Sequence, residues 1–83
     1  MLTTGSQLAA ARTLIGMDQR EVAKAAGLSA TTIRNMEAAR GRPIGGRPHN
    51  VQAVQRVLEE AGILFLGEEA SGGVGVRMRK VPS

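Results

Sequence analysis

Adjacent Arg34 and Asn35 are the residues in this chain best suited to reading a chemical pattern. A guanidinium presents a planar two-pronged donor that matches the two acceptors of a guanine edge, and a carboxamide matches the donor and acceptor of adenine. Each good pair of this kind gives about 1–3 kcal/mol of discrimination. Three more arginines follow closely, at 40, 42 and 47, and their charge suits phosphate oxygens. Catalytic chemistry has much poorer material. The seven carboxylates are scattered, or adjacent on polar stretches at Glu59-Glu60 and Glu68-Glu69, without a pairing suited to proton transfer. His49 is the sole histidine and cysteine is absent, so neither a metal site, a disulfide nor a thiol nucleophile is available. The glycines of 41–46 lack the Lys-Ser/Thr of a phosphate loop, and those of 72–75 lack a dinucleotide fingerprint. Both read as turns, and no enzyme, cofactor or metal is expected.

Those side chains must be positioned by elements that 83 residues can build. That length suits one compact unit and buries only about 60–65% of the unfolded surface, so pairing with a second copy is favoured. Eleven Lys+Arg against seven Asp+Glu give a net charge of +4, a field that attracts polyanions. One Phe and no Trp or Tyr leave an aliphatic core and no aromatic row for stacking unpaired bases. Neither a signal peptide nor a membrane span can be made from the longest apolar run, residues 63–66, and a cytoplasmic location is expected.

Helical periodicity marks four segments. Leu8, Ala11, Leu14 and Ile15 predict a buried face on a helix from Ser6 to Ile15, with Thr4 and Gln7 as its capping box and Gly16 as its stop. Asp18 and Glu21 form a second capping box, ahead of an apolar stripe of Val22, Ala23 and Ala26 that ends at Gly27. Ser29 caps a third helix, with Ile33, Met36 and the stem of Arg40 inward and Thr31, Arg34, Asn35 and Ala38 outward. Residues 40–49 read as a loop. Asn50 is expected to cap a fourth helix from Val51 to Ala61, burying Val51, Val54, Val57, Leu58 and Ala61. Residues 63–66 and 74–80 read as two strands joined by a turn over 67–73, the second with Val74, Val76 and Met78 on one face and Gly75, Arg77 and Arg79 on the other.

The second and third helices carry the most specific spacing. Ala23 is small enough for a close crossing, Gly27 accepts the turn, Leu28 and Ile33 plug the angle, and Val22 and Met36 tie the pair to the first helix. With Gln19, Arg20 and Glu21 before them and Ser29, Thr32 and Glu37 after, residues 5 to about 61 resemble the Cro-repressor-like (xenobiotic-response-element, XRE-type) helix-turn-helix family of bacterial and phage regulators. The resemblance implies a mainly α, lambda-repressor-like domain of four helices over 1–62. A short C-terminal β-hairpin and tail, 63–83, would follow as a dimerisation element. It also implies that Ala30, Thr31, Arg34 and Asn35 face base edges, Ala30 through a methyl contact. Phosphate contacts are expected from Gln19, Ser29, Thr32, Arg40, Arg42 and Arg47. Glu37, repelled by phosphate, is expected to pair with a backbone amide or a base such as Arg12.

The function expected is a sequence-specific regulator of double-stranded DNA, a repressor or autoregulator that binds a near-palindromic operator as a homodimer. Ile63, Phe65, Val74, Val76 and Met78 are the expected dimer contacts, because an isolated two-stranded ribbon gains from a second copy. Arg77, Arg79 and Lys80 would alternatively touch DNA. The alternative function is an antitoxin or antiactivator that keeps the fold and binds a regulatory protein partner by strand pairing.

Overall fold

Local capping decides where the helices begin and end. In the computed structural model, which describes residues 1–67 and 73–79, the chain forms α1 (Gly5–Ile15), α2 (Gln19–Ala26), α3 (Ala30–Glu37), α4 (Pro48–Glu60), β1 (Ile63–Leu66) and β2 (Gly75–Met78). This is the mainly helical, four-helix architecture with a short hairpin that the sequence predicts. Thr4 and Gln7 close a capping box on α1, Asp18 and Glu21 close another on α2, and the Ser29 hydroxyl accepts from the Thr32 amide at the start of α3. At the other ends, Gly16 and Gly27 take left-handed backbone, with φ of 70° and 73°, and let the next amides reach back to the last turn. Leu28 N–H donates to the Ala23 carbonyl at 2.8 Å, so only Gly27, Leu28 and Ser29 separate α2 from α3.

The core is one aliphatic cluster. Leu8 and Ala11 of α1, Val22 and Ala23 of α2, Ile33 and Met36 of α3, Val54 and Leu58 of α4, and Ile63 and Phe65 of β1 all meet in it. The strands pair antiparallel, Ile63 with Met78 and Phe65 with Val76, which sets these four side chains on the hairpin face that packs on the helices. Hairpin and helices therefore share a core. The part of the turn at 68–72, and Lys80, lie outside the described residues.

Several expectations are corrected by this packing. Leu14 is 48% exposed; it lies roughly 90° around the helix from the stripe of Leu8, Ala11 and Ile15, at about 100° per residue. Arg40 is exposed and does not lay its stem inward, because α3 ends at Glu37 and Arg40 itself turns left-handed with φ of 53°. The fourth helix starts at Pro48, with Arg47 as its N-cap residue, not at Val51 with Asn50 as cap. Proline's fixed φ and missing N–H suit the first turn. His49 is consequently an exposed residue of that turn. Ala61 is exposed beyond the end of α4, and Val51 and Val57 are only half-buried. The second strand is shorter than expected, Gly75–Met78.

The loop between α3 and α4 is held by the residues preceding α1. Ile44 N–H donates to the Thr3 carbonyl at 2.8 Å, Thr4 and Pro43 form an antiparallel bridge, and Ile44 packs against the core. A second tie comes from Gln7, whose buried carboxamide accepts from the amides of Thr3 (2.7 Å) and Thr4 (2.9 Å). The same group donates to the carbonyls of Leu66 (3.3 Å) and Gly75 (3.0 Å), one on each strand.

Candidate nucleic-acid interface

α3 is fixed from behind and bare in front. Ile33 and Met36 are sealed in the core, while Thr31, Arg34, Asn35 and Ala38 are exposed. Thr31 and Ala38 lie near the middle of the outward face. Arg34 and Asn35 lie about 100° apart on its two flanks, by the helical repeat. Each flank borders a shallow cleft. Arg34 lines one, together with Ala30 of α3, Asp18, Gln19 and Arg20 at the start of α2, and Arg12 of α1. Asn35 lines the other, facing the loop at Gly45, Gly46 and Arg47 and the start of α4 at Asn50.

The expected site residues separate into those with free polar groups and those already engaged. Arg40, Arg42 and Arg47 are exposed, and none has a carboxylate partner among the described residues. Ala30 is half-buried, packed against the core where it borders the α2-side cleft. The Ser29 and Thr32 hydroxyls lie 2.9 Å apart, Ser29 Oγ also accepting from the Thr32 amide at 3.1 Å. Their first task is to cap α3. Whereas α1, α2 and α3 have side-chain caps, α4 has none; Pro48 brings no N–H, and the amides of Asn50 and Val51 donate to the Arg47 carbonyl at 3.0 and 3.4 Å.

Gln19 is half-buried, and its Nε2 donates to Glu37 Oε1 at 3.1 Å. One carboxamide hydrogen remains for another acceptor. Glu37 also takes a two-pronged grip from Arg12, through Nε to Oε2 and through Nη2 to Oε1 at 3.0 Å, while Arg12 Nη1 donates to the Met17 carbonyl at 3.1 Å. Glu37 thus joins α1, α2 and α3. The hydrogen bonding that Arg12 donates to Glu37 raises the Arg12 pKa, opposed by partial desolvation and assisted by the charges of Glu37 and Asp18. Because the folded value is raised, that stabilisation is present throughout the neutral range and is lost only as pH climbs into strong alkali.

Glu37→Gln is expected to cost about 2 kcal/mol, since charge-assisted bonds are replaced and Arg12 keeps a half-buried charge without its partner. Urea unfolding of Arg12→Met, Glu37→Gln and the double variant measures the coupling. A coupling near zero would show that the pair adds nothing to stability.

Two contributors escaped the sequence reading. Arg20 stands beside Gln19 and Arg34 in the α2-side cleft, and Asn50 stands beside Asn35 in the other. Arg20 was within reach, because it adjoins Gln19 at the start of the same helix. Asn50 was not, because its proximity to α3 depends on the long loop folding back.

A helix-turn-helix family model matches residues 8–43, from within α1 through α2 and α3 to the bridge at Pro43. No curated protein matches the chain significantly. No helix among the described residues is long and apolar enough to cross a membrane, and no cluster of potential metal ligands occurs among them.

Proposed function

We propose that this protein, whose residues 8–43 match a helix-turn-helix family model, is an XRE-type, sequence-specific DNA-binding regulator, a repressor or autoregulator, that inserts α3 into the major groove of double-stranded DNA. The observation that carries this reading is the two-sidedness of α3. Its apolar side is locked into the core, while Thr31, Arg34 and Asn35 are exposed and uncommitted to other side chains among the described residues. Gln19 on one side and Arg47 on the other flank that face, and with the exposed Arg40 and Arg42 they supply phosphate contacts, giving affinity without sequence information.

A single α3 reads only a few base pairs, so the proposal includes a homodimer on a near-palindromic operator, with the two helices about 34–36 Å apart. Ile63 and Phe65, 1% and 7% exposed, complete the chain's own core. Val74, Val76 and Met78 are half-buried, and Val76 and Met78 pack on that same core. The dimer contact is therefore assigned to the outer edges of the two-stranded sheet, which have no strand neighbour among the described residues.

The test is selection of bound fragments from random duplex DNA, followed by measurement of Arg34→Ala and Asn35→Ala on the selected site. Each substitution is expected to weaken that site about tenfold or more and to relax preference at one base pair, leaving unrelated duplexes almost unaffected. Unchanged affinity in both variants would remove α3 from the interface.

A further inference from the structure

Arg20 is exposed, and its own helix offers it no partner: one turn ahead along α2 stand Ala23 and Lys24, neither a carboxylate. The acids nearest in sequence are engaged in the cap of α2. Asp18 Oδ1 accepts from the Glu21 amide at 2.8 Å, and Glu21 Oε1 accepts from the Asp18 amide at 3.1 Å. Arg34 is free for a different reason. Glu37, one turn ahead of it along α3, is already held by Arg12 and Gln19 at 3.0 and 3.1 Å. Neither Arg20 nor Arg34 forms an ion pair among the described residues.

These two guanidinium side chains come from different helices and line one cleft, together with Ala30. Ala30 opens α3, and Arg34 follows it by one turn on the same side of the helix. With only a methyl at position 30, the first turn of α3 has no side chain long enough to fill the cleft or to hydrogen-bond a base edge.

Two positive charges gathered in one cleft repel each other until they meet acceptors. A guanine edge presents O6 and N7 to one guanidinium, and two neighbouring guanines present two such pairs. Asp18 lines the same cleft, and its charge opposes a further phosphate there, whereas a guanine edge carries no net charge.

We infer that Arg20 is a base-reading residue, which α2 delivers past the methyl of Ala30, and that it reads a guanine beside the one read by Arg34. The bound site then contains two neighbouring G·C pairs, one of them recognised from outside α3. The inference rests on the reading of α3 as a major-groove helix, but it assigns a base pair that α3 does not read.

The test is selection of bound fragments from random duplex DNA by the full chain and, separately, by Arg20→Ala and Arg34→Ala, each checked for folding by circular dichroism. Sites selected by the parent chain are expected to carry both G·C pairs, and each variant is expected to lose a different one. On the parent's site Arg20→Ala is expected to weaken binding about tenfold, with unrelated duplexes almost unaffected. Replacing the guanine assigned to Arg20 by 7-deazaguanine, which lacks the N7 acceptor, is expected to weaken the parent chain but not Arg20→Ala. Arg20→Lys keeps the charge without the fork and is expected to lose preference at that pair alone. Equal weakening of selected and unrelated duplexes by Arg20→Ala would make Arg20 a phosphate contact and overturn the inference. Unchanged binding, or a selected site without the second G·C pair, would overturn it as well. In each of these cases the reading of α3 stands if Arg34→Ala and Asn35→Ala still weaken the selected site, whereas failure to bind any duplex overturns both.

Discussion

Gly5→Ala is expected to lower the thermal midpoint by roughly 15 °C, the opposite of what helix propensity predicts. Alanine at an exposed helical position gains about 1 kcal/mol over glycine. Gly5, however, is buried where α1 meets the end of α3. A Cβ there would lie 2.5 Å from the Met36 carbonyl oxygen and 2.7 Å from both the Glu37 oxygen and the Arg40 nitrogen. All three obstacles are backbone, and no rotamer change can clear them. The helices must move apart, straining the bond from Ser6 N–H to the Arg40 carbonyl, now 2.8 Å. Overpacking of this kind costs about 3 kcal/mol, and each kcal/mol shifts the midpoint of a domain this size by about 4–8 °C. Circular dichroism melting checks the sign directly. A midpoint equal to or above that of the parent chain would mean that α1 and α3 do not approach this closely.

Gln7→Leu is expected to cost about 3–4 kcal/mol although it exchanges a polar side chain for an apolar one of similar volume at a buried site. The carboxamide of Gln7 is fully used, as acceptor from Thr3 and Thr4 and as donor to Leu66 and Gly75. Leucine would leave four backbone groups in or near the interior without that partner, and an orphaned buried group costs about 1–3 kcal/mol. Water can replace part of this at the chain surface, which keeps the total below the simple sum. Since Gln7 spans both strands, the loss is local first. Hydrogen exchange is expected to quicken in the hairpin and in the segment before α1 well before α2 and α3 respond. Uniform quickening across all elements, or none, would show that Gln7 does not hold the hairpin in place.

Gln7 also shows how far sequence reading extends. Its capping role was legible, because Thr4 and Gln7 form that box within four residues. Its bonds to residues 66 and 75 were not, because they depend on where a distant hairpin settles. The same division separates Ala23, Gly27 and Ser29, whose corner was readable from spacing, from Gly5, whose glycine is required only by the backbone of α3.

For Asn50 and Pro48 two local signals competed. An asparagine cap was available, but proline at the first turn and the anchored loop before it drew the helix start back to Pro48. The hairpin divides likewise. Alternation identified an apolar face of Val76 and Met78, but not whether it would meet a second copy or the chain's own helices. The described fold turns it onto α1 and α4, where Ile63 and Phe65 are buried.

By itself, then, the order of residues determined the capped helices, the pivot at Gly27 and the polar edge of α3, since each follows from interactions over a few positions of chain. Only the tertiary structure decided which apolar faces meet, which buried amide ties the hairpin down, and that the arginine loop stands across a cleft from Asn35. Those outcomes depend on groups tens of residues apart, and their positions emerge only when one shared core is packed.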